Sequence, residues 1–168
     1  MARMNMFAIK KINCRDTFRI TIKLFLLLIS LNFGHASAEN HNGQHHLSVF
    51  VGGTHVLNHD LNGETLGLDY EYRVSELLGL GMVAEYAFED IDATTLIAVA
   101  DIHTPFGLIA QIGPGVEFTE HGDRFLFRVG GLYEFEFASY TVSPQFHFDI
   151  AANAEDSLVF GFAFGKNF

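Results

Sequence analysis

The chain has 168 residues, enough for one domain, with 10 basic against 20 acidic side chains and a formal net charge of −10. That acid excess argues against nucleic acid as a partner and against simple electrostatic adsorption to anionic lipid. The single cysteine, Cys14, leaves no disulfide framework and no thiolate metal cluster.

The chain starts with a basic stretch, Lys10, Lys11, Arg15, Arg19 and Lys23, followed by the apolar run Leu24 to Phe33 and by Ala36-Ser37-Ala38. Together these predict a secretory signal peptide over residues 1–38, exported by the Sec route and cut after Ala38. The apolar run is about half the roughly 20 residues that a membrane-spanning helix needs. Met4 and Met6 are alternative starts. Cleavage removes Cys14 and six basic residues with one acid, Asp16, leaving four basic against nineteen acidic residues, a net charge of −15.

Residues 39–45 read as a flexible, polar lead-in. His41 and His45 in it, with His46 just after, are candidate ligands for Zn²⁺, Cu²⁺ or Ni²⁺, set against the ordinary alternative of a frayed terminus. From residue 46 onward helical spacing is absent. Alternation over segments of about ten residues, broken by polar or acidic turns, takes its place. It predicts eight strands over 46–57, 65–74, 78–88, 94–103, 106–118, 124–136, 140–150 and 157–168.

The second segment, "TLGLDYEYRV", shows the pattern: Leu66, Leu68, Tyr70, Tyr72 and Val74 alternate with Asp69, Glu71 and Arg73. Phased strand by strand, all five Tyr and twelve of the fourteen Phe after residue 38 fall on one face, Phe50 and Phe137 being the exceptions. Asp69, Glu71, Arg73, Glu85, Asp101, Glu117, Arg124, Arg128, Glu134, Glu136 and Asp149 fall on the other. Lys166 is the one strand charge on the apolar face.

Volume decides which face is inside. The interior of an eight-stranded barrel is just wide enough to be filled by side chains, and about thirty large apolar groups would not fit. The charged face, interspersed with Gly67, Gly79, Gly81, Gly113, Gly115 and Gly130, suits a narrow lumen better. The aromatics then point outward, where in water they would expose far more apolar surface than a monomer tolerates. In lipid that surface is at home, and closure leaves no unpaired strand edge. The prediction is an all-β, eight-stranded, antiparallel up-and-down transmembrane barrel over residues 46–168. A secreted β-sandwich is the rival, but the charged face carries no Lys and is interrupted by Ile97, Val99, Ile109, Leu126 and Leu132.

The last segment, "SLVFGFAFGKNF", alternates Leu158, Phe160, Phe162 and Phe164 with small residues and ends on Phe168. It resembles the final strand of bacterial outer-membrane barrels, and the chain after residue 38 resembles small barrels of the OmpA and OmpX type. The resemblance implies a Gram-negative outer membrane, with lipid and lipopolysaccharide as surroundings. It further implies that Phe160, Phe162, Phe164 and Phe168 are read by the barrel-assembly machinery, that both termini are periplasmic, and that the protein is a monomer without cofactor. Lys166 departs from the pattern, at a depth where its amine can snorkel to the headgroups.

Function is less legible. Arg73 and Arg128 are the expected partners of Glu71, Glu85, Glu117 and Glu134, with Asp69 also close to one of them, because a buried charge costs several kcal/mol unless paired. Asp101, His147 and Asp149 complete the predicted lumen network. His147-Phe148-Asp149 stands where the lipid A deacylase family has a lipid-facing His-x-Ser motif, so the resemblance fails at the nucleophile. Ser143 lies roughly 13 Å along the strand from His147, too far to be activated directly. The outward loops are acidic, at Asp60 and Glu64, at Glu89, Asp90 and Asp92, at Glu120 and Asp123, and at Glu155 and Asp156. None has a complete calcium-loop spacing. The leading expectation is an envelope-structural protein, ahead of a surface adhesin, a lipid-modifying enzyme and a narrow channel.

Overall fold

The computed structural model describes residues 43–57 and 61–168; the predicted signal peptide and His41 lie outside them. The strands are β1 (His45–Val56), β2 (Leu61–Arg73), β3 (Leu78–Ala87), β4 (Ala93–His103), β5 (Leu108–Thr119), β6 (Gly122–Tyr133), β7 (Phe135–Phe137), β8 (Tyr140–Ala151) and β9 (Ser157–Asn167). β6 and β7 are one strand broken at Glu134, since Leu132↔Gln145 and Phe135↔Val142 continue a single register against β8. The unpaired stretch at 133–134 lies opposite Ser143 and Pro144, and proline has no N–H to offer a neighbouring strand. The barrel therefore has eight staves.

Every pairing is antiparallel, and the order runs β6-β5-β4-β3-β2-β1-β9-β8 before β8 returns to β6. β1 closes against β9, where His45 and Phe168 exchange backbone hydrogen bonds of 3.2 and 2.9 Å. Closure removes the sandwich alternative: one sheet curls on itself and leaves no edge. Strand boundaries fall within a few residues of the alternation pattern, with one larger difference. β2 starts at Leu61 rather than 65, because Asn62, Gly63 and Glu64, which look like loop residues, pair with His55, Thr54 and Gly53 of β1.

The two faces separate as the alternation predicts. Outward lie Leu66, Tyr70, Tyr72, Met82, Phe125, Phe127, Phe146, Phe160, Phe162 and Phe164, all exposed. Phe137, one of the two predicted exceptions, ends β7 and is exposed as well. Lys166 sits with its amine 5.8 Å from the Tyr140 ring centre, a cation–π contact that gives this outlying charge a place on the aromatic face.

Phe50 does point inward. It is accommodated because Gly161, across on β9, has no side chain: a Cβ there would lie 2.9 Å from the Phe50 ring. The aliphatic interruptions of the charged face have a role too. Val83, Ile97, Val99 and Leu126 pack on one another in the lumen as a small apolar core.

One end of the barrel carries both strand termini of the β1–β9 pair and the turns after β2, β4 and β7. The other carries the connections after β1, β3, β5 and β8, which are short: β5 and β6 are joined by Glu120 and His121 alone. These are called the terminal end and the loop end below.

Candidate functional site: a lumen in two charged layers

Inward side chains form two polar layers of different character. Towards the loop end, Arg128 of β6 sits 1% exposed and uses both edges of its guanidinium. Its Nη1 and Nη2 donate to Glu85 Oε1 and Oε2 at 2.7 Å each, across the lumen on β3. Its Nε and Nη2 donate to Asp149 Oδ1 and Oδ2, again at 2.7 Å each, on the adjacent β8. Two forked, charge-assisted pairs around one cation are the strongest arrangement a buried guanidinium can adopt.

Towards the terminal end the carboxylates are spread more widely. Glu134 Oε1 accepts from Arg73 Nη2 at 3.0 Å, and Glu71 Oε1 lies 2.5 Å from His103 Nε2 and 3.8 Å from Arg73 Nε. Glu71 reaches His103 from two strands away because the intervening β3 position is Gly79, where a Cβ would collide with Glu71 Oε1. Asp69 takes its hydrogen bond from Gln111 Nε2 at 3.5 Å, not from either arginine. Asp101 is buried beside them.

Several expected pairings are thus redistributed. Glu117 lies 3.5 Å from Arg124, near the loop mouth, and away from the lumen arginines. His147 is wholly buried, with Nε2 3.0 Å from Gln145 Oε1, while Asp149 is held by Arg128. His147 is thus sealed off from lipid, and Asp149, which borders the loop-end cavity, has both oxygens engaged by Arg128. Residues that charge counting passed over also belong to the lumen: His103, Gln111, Thr141 and Gln145. All share the inward parity of their strands, and that was the available signal.

His45 and His46 do not share a site. His45 and His46 are successive strand residues and face opposite sides. The His45 ring stacks on Phe168 at 5.5 Å on the outer face and its Nδ1 lies 2.8 Å from Tyr70 Oη. His46 points inward to Thr141 Oγ1 at 2.8 Å. His41 lies outside the described residues.

Cavities follow the lumen among the described residues. The loop-end mouth encloses about 620 Å³, with Asp90, Glu117, Glu120, His121 and Arg124 in its wall. The terminal-end mouth encloses about 430 Å³ between Arg73, Glu76, His103, Glu134 and Glu136. Inside the terminal half, a cavity of about 10 Å³ is bordered by Asp69, Glu71, Asp101, Gln111 and Glu134. The Arg128 layer lies between the two mouths.

No protein-family model matches this sequence, and comparison with curated proteins gives no match. Solved structures do resemble it. The N-terminal β-barrel domain of Pseudomonas aeruginosa OprF aligns over 76% of this chain and 100% of its own, at 12% identity and a TM-score of 0.56. The Yersinia pestis outer membrane protein Ail, solved in a phospholipid bilayer nanodisc, aligns over 76% and 100%, at 9% identity and a TM-score of 0.53. At such identities the likeness is one of fold, and that fold is the closed eight-stranded barrel of outer-membrane proteins.

Proposed function

We propose that this chain is a monomeric outer-membrane protein with a structural role in the envelope, its lumen held shut rather than open to solute. The observation that carries this reading is the Arg128 layer. A guanidinium forked to Glu85 on one side and Asp149 on the other ties β3 to β6 and β8 across the barrel. The aromatic outer face supplies the other half of the argument, since only hydrocarbon accepts so continuous an apolar surface. Lipid and lipopolysaccharide are then its surroundings, and the barrel-assembly machinery its partner during insertion through Phe160, Phe162, Phe164 and Phe168.

The short loop-end connections favour this role over adhesion, because a binding protein of this architecture needs protruding loops to reach a partner. The test combines fractionation with conductance. The protein should be extracted with outer membranes, migrate differently before and after boiling, and leave planar bilayers without discrete conductance steps. Recovery in the soluble periplasmic extract would overturn the membrane reading, and steady single-channel currents would overturn the closed lumen.

A further inference from the structure

We propose that the terminal-end half of the lumen binds one hard divalent cation, Ca²⁺ or one like it, among Asp69, Asp101, Gln111 and Glu134. Charge is the first argument. Asp69, Glu71, Asp101 and Glu134 line one small cavity, and among the described residues Arg73 is the guanidinium that reaches this layer, at Glu71 and Glu134. The facing imidazoles are His46, with Nε2 3.9 Å from Glu134 Oε2, and His103, with Nε2 2.5 Å from Glu71 Oε1. With all four carboxyls ionised, the layer keeps one more negative charge than positive even when both imidazoles are protonated. Glu76 and Glu136 at the adjoining mouth deepen the excess.

The second argument is independent of charge. Asp101 Oδ1, Gln111 Oε1 and Glu134 Oε2 are buried and accept no hydrogen bond among the described residues. All three residues border the same cavity, and each is more than nine-tenths buried. Buried polar groups are ordinarily satisfied, and in a low-dielectric lumen an orphaned acceptor is costly. Most neighbouring donors point elsewhere, and Arg73 Nε, itself without an acceptor, lies nearest Glu71 at 3.8 Å. Arg73 donates to Glu134 Oε1, His46 lies against Thr141, His103 against Glu71, and Gln111 Nε2 against Asp69.

Acceptor oxygens left over around a hole of one-water size are what a small hard cation satisfies, since it engages several oxygens at once. Among the described residues the His, Cys, Asp and Glu side chains make no ready three-ligand set. The Gln111 carbonyl and the Ser48 and Ser143 hydroxyls, which border the same cavity, complete the oxygen shell. Entry is from the terminal end, where the 430 Å³ mouth shares Glu134 and Ile109 with the inner cavity and Arg73 stands at the junction.

The proposal rests on the closed barrel and not on the envelope role, so its test is made in detergent micelles on the folded full chain. Equilibrium dialysis with radiolabelled Ca²⁺ against EGTA-treated protein should show saturable binding of about one ion per chain. Asp101→Asn should weaken it on the order of ten- to a hundredfold. Gln111→Met serves as a second variant that changes no charge, and should weaken binding too. Glu120→Gln, at the loop mouth, should leave it unchanged. Migration before and after boiling verifies that each variant is folded. No saturable binding in the folded wild type overturns the proposal. So does unchanged affinity in both lumen variants, or a loss in Glu120→Gln as large as in Asp101→Asn.

Discussion

The two halves of the lumen solve one problem in different ways. In both, carboxylates must sit inside a barrel too narrow for bulk water. In the loop-end half one guanidinium meets two carboxylates through four bonds of 2.7 Å, and the geometry uses nearly all that the cation offers. In the terminal half one guanidinium, its side chain about a quarter exposed, reaches two of four carboxylates, and oxygens are left over. Buried charge stabilises a fold only when the desolvation of each ion is offset by well-directed partners. The first layer therefore acts as a cross-brace, while the second gathers more carboxyls than cations near the terminal mouth.

The largest effect should come from cutting the cross-brace. Arg128→Met strands Glu85 and Asp149 without a cation, and should cost about 3–5 kcal/mol in urea unfolding from lipid or detergent. A double-mutant cycle with Glu85→Gln should recover part of that loss, because the two groups then no longer act separately. Additive effects would mean that the brace does not exist.

Next comes the outer face. Leu68→Arg puts a charge on the lipid side of β2, two residues from Tyr70, and should cost roughly 2–4 kcal/mol if the site lies near the bilayer midplane. A neutral result would mean that the strand faces are inverted. Smaller again is Arg73→Met, since its guanidinium is 27% exposed and its contacts are looser. A cost of about 1 kcal/mol, well below that of Arg128→Met, would sharpen the contrast between the layers. Equal costs would erase it. Arg124→Ala, which loosens a partly exposed pair at 3.5 Å from Glu117, should change stability by roughly 0–1 kcal/mol.

Which of these partnerships could be read beforehand depends on how each is made. Arg128 and Asp149 face each other in the β6–β8 register, as Arg124 and Glu117 do in β5–β6. Both pairs follow from where the turns lie, so turn placement would have found them. Arg128 with Glu85 does not follow, because β3 and β6 are not neighbours. Nor does the Glu71–His103 contact, which depends on Gly79 leaving space on the strand between. Asp69 had an obvious charge to pair with and instead meets an amide, because Gln111 shares its level in the lumen and the arginines do not.

The amino-acid sequence by itself determined the strand count and which face of each strand turns outward. Those properties come from period-two alternation and side-chain volume, which are local or additive and survive without knowledge of partners. The histidine pair at residues 45 and 46 was not decided in this way, since the sequence places His45 in the lead-in and only the structure starts β1 there, which puts the two on opposite faces. Tertiary structure alone decided which carboxylate meets which cation, where oxygens are left over, and that β6 breaks at Glu134. Those features depend on the tilt and stagger with which eight strands close, a relation that links residues across the barrel whatever their distance along the chain.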